Sequence, residues 1–263
     1  MNQALPVPLD VKLMNTTSLV LTLVFVGMLA SLGLSWLLQQ NLFRLSAIDV
    51  GGELEHNNAV TLRANVVPRL NGNFFTVDLA RTRIAFEGVP WVRKALVQRE
   101  FPNRLRVVLQ EHRAVALWGQ EGDARLVNSF GEVFEANQGA VESEDLPLLQ
   151  GPAGQAALVL QGYRALAPVL EKIDARPELL ELTARGSWRA RLDDGALIEL
   201  GLGTPEEIAG RAQRFVATLT QVTSQYGRAL ESADLRYPNG YALKLQGVTT
   251  TVKGDKEDRK VKR

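Results

Sequence analysis

"PWVRKALVQREFPNRLRVVLQE", residues 90–111, contains two runs of alternating apolar and polar residues that are separated by residues 101–103. In the second run Leu105, Val107 and Leu109 alternate with arginine, valine and glutamine. Alternation with a period of two is the pattern of a half-buried strand. The basic residues occupy strand positions, so a solvated sheet face explains them better than nucleic-acid binding. The stretch therefore predicts two consecutive strands.

The residues before this stretch predict one strand and two helices. "SAIDV", residues 46–50, is a short strand candidate. "NNAVTLRANVVPRL", residues 57–70, indicates a helix with an asparagine cap that is interrupted near Pro68. Asp78 can cap a second helix, "LARTRIAFE", residues 79–87. The predicted order of this first domain is β-α-α-β-β.

An apolar stretch near the N-terminus, "TTSLVLTLVFVGMLASLGLSWLL", residues 16–38, predicts a transmembrane helix. No charged residue lies between Lys12 and Arg44. At ~1.5 Å per residue the stretch is long enough to cross a hydrocarbon core of ~30 Å. A cleaved signal peptide is the alternative, but the stretch is longer than the usual apolar region of ~7–15 residues. We expect an uncleaved anchor.

The charges that flank this helix do not decide its orientation. Lys12 and the amino terminus lie on one side, and Arg44 lies on the other. The positive-inside difference is therefore about one charge. The residues alone leave open which side of the membrane holds the folded domains.

Composition argues against several functional classes. The 263-residue chain has a net charge of +1, which does not suggest a nucleic-acid partner. It has no cysteine, which rules out disulfides, thiol catalysis and cysteine metal sites. The two histidines, His56 and His112, have no second histidine three or four residues away. Because no nucleophile, base or metal cluster assembles, we expect a binding protein without catalytic activity, cofactor or metal.

Beyond residue 113 the pattern predicts a second domain of strands and helices. "LVNSFGEVFE" and "LPLLQGP" indicate short strands. "LLELTARGSWRARLDDGALIEL", residues 179–200, predicts one strand, a turn at Asp194-Gly195 and a second strand. Thr204 and Glu207 form a capping box at the start of a long helix.

Near the C-terminus, "DLRYPNGYAL", residues 234–243, predicts a hairpin. A three-residue loop, 238–240, would pair Tyr237 with Tyr241 and would pair Leu235 with Leu243. Gly240 would then adopt the left-handed conformation that such a loop needs. The result is an amphipathic ribbon with few residues left to cover its outer edge.

The order of these motifs carries a family resemblance. The β-α-α-β-β unit that ends in "PWVRKALVQREFPNRLRVVLQEHRAVALW" resembles a POTRA domain. It is followed by "LVNSFGEVFE", "LPLLQGP", "LQGYRAL" and "DLRYPNGYAL". Behind one N-terminal span, this series resembles the FtsQ/DivIB family of bacterial cell-division proteins over residues 15–246.

The resemblance implies an α+β fold with a single N-terminal transmembrane helix, a POTRA domain and a mixed α+β domain, called the β-domain. The sheet of the β-domain is expected to be largely antiparallel and to end in an exposed edge strand. The implied ranges are a cytoplasmic tail, 1–15; a transmembrane helix, 16–38; the POTRA domain, 43–113; the β-domain, 114–248; and a disordered charged tail, 249–263.

The resemblance also implies a function. The chain is expected to be a non-enzymatic divisome scaffold in the inner membrane at the septum, with a cytoplasmic N-terminus and periplasmic domains. It would bind FtsB and FtsL, accept a strand of FtsB on its last strand, and help to control septal peptidoglycan synthesis. FtsA, FtsK, FtsW and FtsI are further implied partners, whereas no nucleic acid, cofactor or small-molecule substrate is expected.

Candidate partner-binding residues follow from the matching motifs. Arg236 is the expected partner of an acidic residue, and Tyr237 is the expected aromatic anchor. The family often has tryptophan where this chain has Leu245, so Tyr241 could supply substitute contact area, unless the two tyrosines pack on their own sheet. The full predicted contact set is Arg185, Arg236, Tyr237, Asn239, Gly240, Tyr241, Leu243 and Leu245.

Two other classes remain as alternatives. A POTRA-bearing export component would bind client chains by strand addition, but tandem POTRA repeats or a barrel would be expected with it. A membrane-tethered enzyme would need the catalytic groups that the sequence lacks.

Overall fold

The computed structural model describes residues 9–38, 43–141, 146–226, 229–237 and 240–247. The chain divides into two compact units, Met1–Glu111 and His112–Arg263. The predicted contact residue Asn239 and the predicted charged tail, 249–263, lie outside the described residues.

The first unit contains one long helix followed by a small α/β domain. Its elements are α1 (Leu9–Leu38), β1 (Ala47–Gly52), α2 (Ala59–Val66), a 3₁₀ turn (Val67–Arg69), α3 (Leu79–Glu87), β2 (Val92–Glu100) and β3 (Arg104–Glu111). After α1, the order is the predicted β-α-α-β-β.

Helix α1 contains one candidate membrane span, Asp10–Trp36, of which no part is buried within the protein. Large apolar side chains such as Leu21 and Phe25 are exposed on it. A helix that is apolar on every face and exposed along its described length is suited to a lipid environment. The helix therefore fits a single-pass membrane protein, and it extends beyond the predicted span, 16–38, at its N-terminal end.

The small domain has a three-stranded sheet in the order β1-β3-β2. Strand β1 is parallel to β3, and β2 is antiparallel to β3. Both predicted caps are confirmed: the Asn58 side chain accepts the N–H of Thr61, and that of Asp78 accepts the N–H groups of Ala80 and Arg81. The helices cover one face of the sheet, with a core that includes Leu62, Val66, Phe86, Val107 and Leu109.

Glu111, the last residue of β3, binds the loop that precedes α2. Its carboxylate accepts the backbone N–H groups of Glu55, His56 and Asn57 at 2.9–3.0 Å, and it accepts the Asn57 side-chain amide at 2.8 Å. The His56 ring stacks on the Trp91 ring with a centroid distance of 3.9 Å. The start of α2 is therefore fixed at the end of the sheet where β3 ends.

The second unit contains nine strands and two long helices among its described residues. Its elements are β4 (Ala114–Trp118), β5 (Arg125–Asn128), β6 (Val133–Phe134), a 3₁₀ turn (Gln138–Ala140), β7 (Leu148–Gln150), α4 (Ala156–Leu170), a 3₁₀ turn (Glu171–Ile173), β8 (Pro177–Leu182), β9 (Ser187–Leu192), β10 (Leu197–Leu202), α5 (Pro205–Tyr226), β11 (Leu230–Asp234) and β12 (Ala242–Leu245).

The strands form one sheet in the order β12-β11-β10-β9-β8-β7-β4-β5-β6. Five of the eight strand pairs are antiparallel, and three are parallel. Helices α4 and α5 pack on each other and on the sheet. The capping box of α5 is confirmed, because Thr204 and Glu207 exchange backbone-to-side-chain hydrogen bonds of 2.9 and 3.3 Å. The α+β fold with a sheet that ends in an edge strand is the predicted one.

One predicted strand in this unit is wrong. Residues 179–200 belong to three strands rather than two, because the chain turns between Thr183 and Ser187 as well as at Asp194-Gly195. The Ser187 N–H donates to the Thr183 hydroxyl at 3.0 Å, and Gly186 has a φ of +80°. The turn is short, so apolar and polar residues continue to alternate almost without interruption from β8 to β9. The sequence pattern therefore does not reveal the turn.

Candidate partner-binding edge of the second unit

Strand β12 is the terminal strand of the large sheet. It pairs with β11 on one side, and no strand among the described residues pairs with its other side. The register places Ala242 opposite Asp234, Leu243 opposite Ala233, and Lys244 opposite Ser232. A terminal strand of this kind presents main-chain donors and acceptors along its outer side.

The predicted hairpin register is wrong by two residues. Leu243 pairs with Ala233 rather than with Leu235, and the connection between the strands runs over 235–241 instead of three residues. Leu235 is buried in the core, and its N–H donates to the carbonyl of Glu199 on β10 at 2.8 Å. That buried position, rather than a tight turn, determines where the chain leaves β11. The three-residue loop does not form, so it no longer requires a left-handed conformation at Gly240.

The outer main-chain groups of β12 can be assigned from its inner ones. The N–H of Gln246 donates to the carbonyl of Ala229, so it faces β11. Neighbouring residues of a strand direct their main-chain groups to opposite sides. The N–H and C=O groups of Leu243 and Leu245 are therefore directed outward, away from β11.

The side chains of the same two residues face the interior. Leu245 is 9% exposed in the core, and Leu243 is partly buried against it. Both therefore offer main-chain rather than side-chain contacts at the edge. Their burial also keeps β12 attached to the sheet while its outer side stays open.

Tyr241 packs on its own domain. Its ring meets the ring of Phe215 on α5 at a centroid distance of 5.3 Å, nearly perpendicular, and its hydroxyl is hydrogen-bonded to Thr218. The ring and the hydroxyl of Tyr241 therefore contact a helix, α5, rather than the sheet. Tyr241 holds the start of β12 against α5.

Arg236 forms an ion pair with Asp234. The guanidinium donates from Nε to Oδ1 at 2.8 Å and from Nη2 to Oδ2 at 2.6 Å, and the Arg236 N–H also donates to Oδ1. The side-chain hydrogen bond from Arg236 lowers the pKa of Asp234, and the same bond raises the pKa of Arg236. Arg236 is thus a charged side chain that is held in one direction.

Tyr237 follows directly and is 57% exposed. It is absent from the core cluster of this unit, unlike Tyr241. Gly240 lies in open space, because a Cβ built there would meet no atom within 4 Å. Tyr237 is thus an exposed aromatic ring in the connection between β11 and β12, of the kind that a partner can use as an anchor.

Comparison with known proteins agrees with this architecture. Residues 43–112 match the family model for the POTRA domain of FtsQ type, and residues 116–236 match the model "Cell division protein FtsQ/DivIB, C-terminal". The chain belongs to the FtsQ/DivIB family. It is 43% identical to the cell division protein FtsQ of Burkholderia pseudomallei over 94% of this chain and 99% of that protein. For FtsQ of Thiomonas arsenitoxydans the identity is 42%, over 92% and 90%. The chain therefore has a role in cell division.

In this FtsQ/DivIB chain, Arg185 does not lie beside β12. It is exposed in the turn between β8 and β9, and both β10 and β11 lie between β9 and β12. With strands about 4.8 Å apart, the turn is about 15 Å or more from the edge. Arg185 and Tyr237 do share one end of the sheet, because β10 and β11 are parallel.

Leu202 of this FtsQ/DivIB chain is an exposed apolar residue at the same end that the sequence pattern does not reveal. Ile198 and Leu200 are buried, so alternation would also bury Leu202. The register of β9 against β10 shifts between Glu199 and Gly201, where Gly201 has a φ of +80°. This bulge turns Leu202 outward. A glycine inside the strand, Gly201, is the one sequence feature that indicates this bulge.

Proposed function

We propose that this chain is a non-enzymatic scaffold of the division machinery that binds FtsB and FtsL through the outer edge of β12. In this proposal an extended segment of FtsB adds to β12 as a further strand. The division role follows from the family, and the strand addition is our inference.

The observation that carries the proposal is the position of β12. It is the last strand of a nine-stranded sheet, its inner face is held by Leu243 and Leu245, and the main-chain groups of these residues are directed outward. An added strand would satisfy those groups, while nearby side chains would provide specificity. The same edge left bare would favour unspecific association.

The neighbouring side chains have suitable chemistry. Tyr237 supplies an exposed ring, and Arg236 supplies a fixed positive charge. Arg185 is too far from β12 to contact the added strand itself, so we propose that it meets a separate part of the partner. Asn239 and Gly240 stay in the proposed contact set.

The proposal includes a topology. The N-terminus is cytoplasmic, α1 crosses the inner membrane, and both folded units are periplasmic at the septum. FtsA, FtsK, FtsW and FtsI are proposed as further partners, and control of septal peptidoglycan synthesis is the proposed outcome of assembly. The proposed domain ranges are those that the family resemblance implies.

The test is a pair of variants at Leu243. Leu243→Ala removes the side chain, whereas Leu243→Pro removes the side chain and the outward N–H. Proline is tolerated on an edge strand where its missing N–H would face outward. Both full-length variants are placed in nanodiscs, and their affinity for the periplasmic segment of FtsB from the same bacterium is measured.

We expect Leu243→Pro to bind at least about tenfold more weakly than Leu243→Ala, which corresponds to ~1.4 kcal/mol. Circular dichroism checks that both variants are folded. Equal affinity of the two variants would show that the outer N–H takes no part in binding.

A further inference from the structure

Three segments of the POTRA domain meet at one end of its sheet. Because β1 and β3 are parallel with Ala47 opposite Arg104, the chain enters β1 beside the turn that precedes β3. The Ser46 N–H donates to the carbonyl of Asn103 at 2.9 Å, and the Phe74 N–H donates to the carbonyl of Phe43 at 2.9 Å. Residues 43–46, 71–77 and 101–103 are therefore neighbours.

Phenylalanine rings connect these segments. The rings of Phe43 and Phe75 are 4.8 Å apart between centroids, and Phe74 lies 5.2 Å from Phe75 and 6.3 Å from Phe101. Phe74 is buried, but Phe75 is exposed, and Phe101 is 78% exposed. We call Phe43, Phe75 and Phe101 the aromatic tip.

Hydrogen bonds from Arg99 on β2 stabilise one of the loops that form the aromatic tip. Arg99 donates from Nε to the carbonyl of Phe74 at 2.7 Å and from Nη2 to the carbonyl of Val77 at 2.7 Å. These bonds fix the loop that carries Phe75. The exposed ring of Phe75 is thus part of a surface that these hydrogen bonds stabilise.

The short connection between α1 and Phe43 keeps the aromatic tip close to the membrane. Phe43 follows Leu38, the last residue of α1, by five residues, so it lies no more than about 18 Å from the end of that helix. Headgroup regions extend about 5–8 Å beyond the hydrocarbon core on each side.

The charges around the tip suit phospholipid headgroups. Residues 43–46, 71–77 and 99–104 contain Arg44, Arg99 and Arg104 against one acidic residue, Glu100, and Arg104 is ion-paired with Asp49 of β1 at 3.4 Å. Basic side chains beside exposed rings are the combination found where proteins meet an anionic lipid surface.

We propose that the aromatic tip inserts into the headgroup region of the membrane that α1 crosses, so that the POTRA domain rests on the bilayer. The partner is a phospholipid surface that contains anionic lipid. This inference goes beyond the proposed function and depends only on α1 spanning a membrane.

The test uses the absence of cysteine from the natural chain. Single variants Phe101→Cys and Val60→Cys of the full chain are labelled with an environment-sensitive fluorophore and placed in nanodiscs of phosphatidylethanolamine and phosphatidylglycerol. Val60 is 77% exposed, against 78% for Phe101. It lies at the start of α2, which Glu111 and Asn57 fix at the opposite end of the sheet.

We expect the probe at position 101 to emit at shorter wavelength than the probe at position 60, and to lose intensity when lipids that carry a doxyl quencher are added. Identical spectra at both positions would overturn the proposal. A blue shift at position 101 without doxyl quenching would also overturn it, because the probe would then contact protein. Incorporation into nanodiscs tests the span of α1 separately.

Discussion

The guanidinium of Arg236 holds both carboxylate oxygens of Asp234, at 2.8 Å from Nε and 2.6 Å from Nη2. The pair lies where the chain leaves β11, and the stem of Arg236 lies against Gly201 of β10. Arg236 is therefore oriented before any partner arrives. Preorganised contacts lose less side-chain entropy on binding than mobile ones.

Reversing the charge of Arg236 should weaken partner binding. In Arg236→Glu a second carboxylate replaces the cation beside Asp234, and an acidic group of the partner meets repulsion. We expect the affinity for the FtsB segment to fall by at least about tenfold. The control is Arg214→Glu, the same change at an exposed position of α5. Similar affinities of the two variants would remove Arg236 from the contact surface.

Removing the ring of Tyr237 should cost more affinity than stability. Tyr237→Ala should lose about 2 kcal/mol of binding free energy, as a central aromatic anchor does. Its unfolding temperature should stay near that of the natural protein, since the ring is 57% exposed. Phe130→Ala, at 55% exposed, is the matched control. If both variants bind alike in calorimetric titration, Tyr237 is not an anchor.

A methyl group at Gly201 should affect both stability and binding. The added Cβ would lie 3.0 Å from Cγ of Arg236, and the φ of +80° disfavours any L side chain. Gly201→Ala should therefore lose about 1–2 kcal/mol of stability and displace Arg236. Gly210→Ala, in open space on α5, should be neutral or stabilising. Thermal unfolding followed by circular dichroism compares the two, and equal melting temperatures would contradict the account of Gly201.

Glu111 should make the POTRA domain sensitive to acid. Burial of the carboxylate opposes its ionisation, but hydrogen bonds from His56, Asn57 and Glu55 outweigh burial and lower the pKa of Glu111. A pKa that is lower in the folded chain stabilises it above the unfolded value of about 4.3, and this contribution is lost as the pH falls through the folded pKa.

Glu111→Gln should therefore reduce stability by about 1–3 kcal/mol at pH 7, and the difference from the natural chain should close in acid. Hydrogen exchange of the amides of residues 55–57 in the full chain, compared at each pH, measures this. Glu100→Gln, on the exposed part of β2, is the control. A difference that stays constant from neutral to acid pH would refute the role of the Glu111 carboxylate.

Sequence patterns correctly predicted the elements that are stabilised by interactions between residues close together in the chain. The caps at Asn58 and Asp78 could be predicted because a short polar side chain directly before an apolar helix is favoured as its N-cap. The turn at Asp194-Gly195 is readable because glycine accepts a left-handed conformation, here with a φ of +85°.

The features that the sequence concealed depend on distant contacts. The register of β12 follows from the burial of Leu235 against β10, which no property of "DLRYPNGYAL" reveals. The outward turn of Leu202 follows from a bulge between two strands, and the aromatic tip joins residues that lie far apart in the chain. Position 239 lies outside the described residues, so its part in the contact surface stays a prediction.

The most direct measurement of the central claim is residue-resolved amide exchange of β12 with and without the FtsB segment. If a partner strand adds to the outer edge, the amides of Leu243 and Leu245 become protected on binding, whereas that of Gln246, which already donates to Ala229, changes little. If FtsB binds and the amides of Leu243 and Leu245 still exchange as fast as in the free protein, β12 is not where the partner strand adds.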